Sequence, residues 1–275
     1  LFRSAYQTAL ACFASELKLA QPASTPNLEA DHFGHPLHVQ MAALLALHGE
    51  THQTADSLPR ALIGHEQRYW AKVVPTGTNT DSAIALMTLA TLAGGFASVR
   101  DVEPLWKSSE LPLTDLKPLW RALAPLYPGE QGLQGLRPDL LGESLVAQTL
   151  LSTAGQAIVS ALLGNSSKPA WRLSTLTVLA RVLRTRDDVA QPIEVALRQH
   201  LPSCAHELCA VGIATPSPLI DVAVRSFQAA PPNQQSQVAG ILKNKFEHEA
   251  LPLSHLAVVV GEFIRNKQER IRTKQ

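Results

Sequence analysis

Apolar residues recur with helical period through nearly the whole chain, and the pattern is cut into short lengths by 19 prolines and 15 glycines. That punctuation is the tightest constraint on the fold. Short amphipathic helices are marginal alone and gain stability only by burying one face against neighbours. β-branched alternation is scarce, which leaves helix as the prevailing element. The pattern predicts a predominantly all-α fold over 275 residues, long enough for one large or two ordinary domains with real cores.

In chain order, helices are expected over 5–19, with Leu10, Phe13 and Leu17 on one face, and over 36–48, with Pro36 in the first turn. Between them lies a polar, proline-containing loop. A helix over 55–74 stops before Pro75. Thr80 or Asp81 can cap the next, which runs through Leu92 and closes at Gly94 and Gly95. Helices over 98–106 and 113–126 each carry a tryptophan (Trp106, Trp120) assigned to packing. Pro128, Gly129, Gly132 and Gly135 then fall within a few residues. Such spacing suits either a tight β-hairpin, the wing of a winged helix, or irregular glycine-rich loops. The run from Gly135 to Ala147 reads as a turn entering an amphipathic helix, with Asp139 as its N-cap. Helices follow over 144–151, 154–163, 169–185, 192–200, 205–214, 218–229, 233–246 and 254–272. Beyond Lys168 they are short, similar in length and divided by Pro or Gly, a rhythm that suggests helix pairs stacking into a degenerate superhelix of the tetratricopeptide (TPR-like) kind. The predicted organisation is a helical domain over 1–75, a winged-helix-like domain over 76–165 and a helical-repeat array over 166–275, with the most linker-like stretch at 164–168.

Composition narrows the function. Hydrophobic residues make up 45% and charged residues 17%, too apolar for disorder, and a net charge of +1 gives no general attraction to nucleic acid or an anionic membrane. Three cysteines without ligand spacing read as reduced thiols of a cytosolic protein. No signal peptide and no apolar run of membrane-spanning length is visible. Leu1 already falls in a helical pattern, so a piece of a longer protein is expected.

Chemical signatures are sparse. Six of the ten histidines lie in the first third: His32, His35, His38, His48, His52 and His65. His48 and His52, four apart, can present two imidazoles to zinc only if one helix spans Gly49; exposed or capping histidines are the alternative, and no metal site is expected. No Gly-x-Ser-x-Gly elbow occurs, and no phosphate loop, because neither Gly-Lys-Ser nor Gly-Lys-Thr is present. Cys204 beside His206 lies in a repeat-like helix, where burial is expected. Asp139 and Glu143, four apart at a helix start, suit the helix dipole but lack any partner for acid–base chemistry. Glu66, Arg68 and Trp70 can face a partner domain or another protomer, or Tyr69 and Trp70 can pack inside. The basic run from Arg265 to Lys274 reads as a solvated helix end or as contact with nucleic acid or an acidic partner.

Three segments in order carry a family resemblance. They are His35-Pro36-Leu37-His38-Val39-Gln40-Met41-Ala42-Ala43-Leu44, then Leu62-Ile63-Gly64-His65-Glu66-Gln67-Arg68-Tyr69-Trp70, then Leu126-Tyr127-Pro128 followed by Leu136-Arg137-Pro138-Asp139-Leu140-Leu141-Gly142-Glu143. Together they resemble the winged-helix and helical region, and the start of the helical-repeat tail near Ala180-Arg181, of bacterial STAND-class (NACHT/NB-ARC-like) signalling ATPases. The resemblance covers roughly residues 1 to 185. It implies that this chain is a non-catalytic regulatory and sensor portion of such an ATPase, in signalling or defence. ATP or ADP with magnesium would belong to an upstream nucleotide-binding domain, and no cofactor to this chain. That domain, together with a protein trigger or another protomer, would be the partner; nucleic acid and membrane would not. Relatives place a histidine in the winged-helix domain against the nucleotide phosphate. Here that position holds Pro138, which has no side-chain donor, so Arg137 is the candidate phosphate contact. Asp139, Glu143, Glu66, Arg68 and Trp70 are the candidate partner or interdomain residues. A stand-alone helical scaffold for protein–protein interaction is the first alternative. A winged-helix DNA-binding regulator is the second, disfavoured because 144–151 carries no Lys or Arg.

Overall fold

The computed structural model describes residues 2–22, 26–30, 33, 35–50, 54, 57–130, 132–243 and 253–272. His32, His52, Thr273 and Lys274 of the candidate clusters lie outside the described residues. The fold is all-α. The helices are α1 Phe2–Leu17, α2 Pro36–Leu47, α3 Ser57–Val73, α4 Thr80–Ala93, α5 Val99–Ser108, α6 Leu113–Leu123, α7 Asp139–Leu150, α8 Thr153–Leu163, α9 Pro169–Val182, α10 Ala190–Ala214, α11 Leu219–Ala229, α12 Pro232–Leu242 and α13 Ser254–Arg272. The chain divides into two compact units, residues 1–72 and 73–275. No single helix among the described residues is long and apolar enough to cross a membrane.

In the first unit α1 packs on α2. Tyr6, Leu10 and Ala14, at i, i+4 and i+8, form the buried stripe of α1, while α2 buries Val39, Met41, Ala42, Ala43, Leu45 and Ala46. Pro36 sits in the first turn of α2, where its missing N–H is harmless. His35 caps that helix by accepting a bond from the Leu37 N–H through Nδ1.

The second unit is built around α4, whose residues from Ala85 to Ala90 are all buried. The capping residue is Asn79, one position before the expected Thr80; its side-chain Oδ1 accepts from the Asp81 N–H at 2.9 Å. Gly94 ends the helix at φ 81°, a left-handed conformation that costs glycine little. Helices α6, α7, α8 and α9 all pack on α4. α10 then carries the architecture onward, packing on α8 and α9 on one side of the chain order and on α11 and α12 on the other. The stretch 164–168 lies inside this unit.

Between α6 and α7 the described residues form isolated antiparallel bridges rather than strands: Phe96 with Leu133, and Pro128 with Leu133. The Phe96 N–H donates to the Leu133 carbonyl at 2.8 Å and the Leu133 N–H to the Phe96 carbonyl at 3.0 Å. The glycine-rich loop is therefore a minimal turn pinned to the residue that follows α4.

Two of the departures from the expected helix boundaries have a plain physical reason. The helix expected over 144–151 starts five residues earlier, and Pro138, not Asp139, occupies its cap position with an extended backbone. Pro138 has no N–H to leave unsatisfied, so the helix can begin directly after it. The two helices expected over 192–200 and 205–214 are one 25-residue helix, α10, running through Pro202. An interior proline costs about 3 kcal/mol relative to alanine. The buried row Ile193, Leu197, Leu201, Cys204 and Leu208 outweighs it by packing on four neighbours. Replacing Pro202 with Ala restores the missing bond, offset in part by the freer unfolded chain. We expect a net gain of about 1–2 kcal/mol in urea unfolding. A loss would mean that the proline ring is itself required for packing.

Candidate functional site

The residues singled out around 137–143 line one cleft. It has a volume of about 390 Å³ and lies where the turn 134–137 meets α4, α7 and α9. Local chemistry dictates how the turn gets there. Thr91 of α4 donates its hydroxyl to the Met87 carbonyl at 2.7 Å and accepts the Leu136 N–H at 3.0 Å, so one side chain ties the turn to the helix. Gly135 passes so close to α4 that a Cβ there would stand 2.6 Å from the Thr91 Cα. Only glycine permits that approach. The Arg137–Pro138 peptide bond is cis, and α7 begins immediately afterwards.

Three charged side chains converge at the floor. Arg181 of α9 places Nη1 2.5 Å from Asp139 Oδ2 and 3.8 Å from Glu143 Oε1. Asp139 is largely exposed, so its ion pair with Arg181 contributes little to stability. Glu143 is different, with its side chain only 18% exposed and the guanidinium at the longer distance. Burial pushes the Glu143 carboxyl above its ordinary range, and the Asp139 charge adds to that; Arg181 and Arg184 pull the other way. Arg137, on the rim, also borders a second cleft of about 770 Å³ formed with Phe96, Gly129 and Leu133.

The first turn of α9 braces this region. Trp171 meets Phe96 edge-on with centroids 5.3 Å apart, and Lys168 lies 4.3 Å over the Trp171 ring. Lys168 also bonds Asp101 of α5 at 2.6 Å, which with other bonds holds the Asp101 carboxyl below its usual range. One turn on, Arg172 and Glu207 form a well-buried pair 3.0 Å apart that ties α9 to α10.

No protein-family model, curated protein or solved structure matches this chain.

The sequence-predicted residues thus separate. Arg137, Asp139 and Glu143 share the cleft in the second unit. Glu66, Arg68 and Trp70 lie on α3 in the first. There the Trp70 indole is fully buried and Tyr69 is the exposed ring, 45% accessible, so Trp70 is a packing residue and offers a partner no surface. Arg68 donates to Glu50 at 3.0 Å. Among the described residues no group of three or more His, Cys, Asp or Glu is placed to hold a metal ion. Cys204 is buried and its thiol pushed up to about 12, chiefly by burial, which makes it unreactive.

Sequence reasoning marked Arg181 only as the start of a repeat array and missed Ser174 and Thr177. The signal was present: Ala170, Ser174, Thr177 and Arg181 recur at three- and four-residue spacing and so share the face of α9 turned to the cleft.

Two outcomes test this geometry. Gly135→Ala should lower unfolding stability by about 2 kcal/mol, because the new methyl displaces the turn from α4. Because the folded-state pKa of Glu143 is raised, the stability this group contributes is fully present below the unfolded carboxyl pKa and is lost as pH rises through the folded one. Glu143→Gln should therefore raise the thermal midpoint at neutral pH, and the difference should vanish near about pH 3.5.

Proposed function

We propose that this chain is a non-catalytic regulatory and sensor portion of a STAND-type signalling ATPase. In this reading it couples the nucleotide state of an upstream domain to recognition of a protein trigger or another protomer. The observation that carries the reading is the order of elements around the pinned loop: α4, the bridging residue Phe96, α5, α6, then the bridging residues Pro128 and Leu133. That order parallels the helix, strand, helix, helix, strand, strand order of a winged helix, with single bridges where strands would stand, and so supports this reading. It falls on the segment whose sequence resembles the winged-helix domain of that class. The helices from α9 onward, joined through α10, fit a sensing superhelix of TPR-like kind, although α10 is twice the length such a repeat uses.

The cleft supplies a route for coupling. Arg137 sits on the rim, where a phosphate or acidic group of a neighbouring domain can reach it. The Arg181 cluster on the floor joins α7 to α9, so a shift of the turn is transmitted to the helical array. A two-state orientation of domains is the switch this implies. ATP or ADP with magnesium would be held by the upstream domain, and the setting would be cytoplasmic signalling or defence.

A second reading, a stand-alone helical scaffold, is favoured by one feature: an apolar groove of about 640 Å³ on the first unit between α1 and α2, bordered by Ala5, Ala9, Phe13 and Val39. The DNA-binding reading gains little from the cleft, whose Arg181 is held by Asp139 and Glu143.

Isolated chain should show no ATP hydrolysis and no micromolar affinity for ATP or ADP with magnesium by calorimetry. Micromolar binding would overturn the assignment of the nucleotide site to another domain. The natural gene product should carry a phosphate loop before this segment; its absence would favour the scaffold.

A further inference from the structure

The histidines of the first third find a use that the cleft does not touch. His48 is the C-cap residue of α2, and its ring lies 4.6 Å from that of His65 on α3, tilted by 43°. Glu50 follows two residues after the cap. A single oxygen of its carboxylate, Oε1, stands 2.9 Å from His65 Nε2 and 3.0 Å from Arg68 Nη2. The first of these contacts is short but not aligned as a hydrogen bond. Two groups of α3 thus meet at one carboxylate oxygen just beyond α2, with the His48 ring against that of His65, and the His65 side chain is only 24% exposed.

We propose that His48, Glu50, His65 and Arg68 form an acid-operated latch that holds the end of α2 to α3 near neutral pH and loosens as the solution is acidified. With both imidazoles neutral the cluster holds one cation, Arg68, and one anion, Glu50, and the two rings pack face to tilted face. Protonating both rings sets two cations in ring contact beside a third, Arg68, with the single carboxylate of Glu50 to offset them. The charged groups that face His65 among the described residues are Arg68, Glu50 and His48, and two of the three oppose its protonation. Burial and Arg68, in that order, depress its pKa, with Glu50 opposing.

The sign follows from linkage. A histidine whose folded-state pKa is depressed contributes stability that is present above its unfolded pKa and is lost as pH falls through the folded value. The window is therefore the mildly acidic range below about pH 6.5. The local consequence is opening of α3 away from α2, without requirement for global unfolding.

The test uses the full chain. Hydrogen exchange over residues 57–73, corrected for the intrinsic pH dependence of exchange, is compared at about pH 7.5 and about pH 5.5, and the histidine rings are titrated by NMR. We expect corrected exchange to be about threefold or more faster at the lower pH, and His65 to titrate below an unperturbed imidazole. His65→Gln should abolish the acid response. Arg68→Gln, which removes one cation from an exposed position, should weaken it while leaving the helix in place. Equal exchange at the two pH values in the unaltered chain overturns the proposal. So does an undiminished acid response in either variant, or a His65 titration at or above the unperturbed value. Should His65→Gln fail to fold, the ring titration and Arg68→Gln decide the matter.

Discussion

The second unit depends on a helix that has almost no solvent face. Helix α4 is surrounded by α6, α7, α8 and α9, and a helix buried on all sides must satisfy every polar atom it carries. It does so at four points. Ser82 donates to Asp115 at 2.9 Å, Thr88 and Thr149 share a hydrogen bond of 3.1 Å, Thr91 accepts the Leu136 N–H, and the Leu92 carbonyl accepts from Thr175. Each bond reaches a different neighbour. They fix the rotation of α4 relative to α6, α7, the turn before α7, and α9, where apolar packing alone leaves register less specified.

The cleft is a by-product of that arrangement. Thr91 draws the turn onto α4, Gly135 allows the contact, and α7 must start at Asp139 because the turn ends there. α9 is held against the same helix through Thr175 and braced by Trp171 on Phe96. The charges of Arg181, Asp139 and Glu143 then meet because two helices anchored to a common third have no freedom to separate. The half-buried Glu143 is the point where this geometry costs stability. Such a local cost is common at functional positions, since a side chain placed for packing alone would be apolar.

Much of the architecture was legible in the sequence. Helical period identified the helices, proline in the first turn marked the start of α2, and the Gly94–Gly95 pair marked the end of α4. Where the reading failed, tertiary packing had overruled a local signal. Pro202 reads as a breaker, yet α10 continues through it because its buried row spans four neighbours. Asp139 reads as a cap, yet Pro138 takes that place and frees the carboxylate for Arg181. The pair Tyr69–Trp70 left open whether the rings pack inside or face a partner, and the structure divides them, with Trp70 buried and Tyr69 exposed.

Sequence by itself determined the all-α class, the placement of most helices and the absence of any phosphate loop. These depend on residues within a few positions of one another, where periodicity, capping and backbone freedom act. Only the tertiary structure decided that Arg181 joins Asp139 and Glu143, that His48 meets His65, and that the loop before α7 is pinned to Phe96. Those contacts join residues distant in sequence through helices that pack on shared neighbours, and no local pattern encodes which faces will meet.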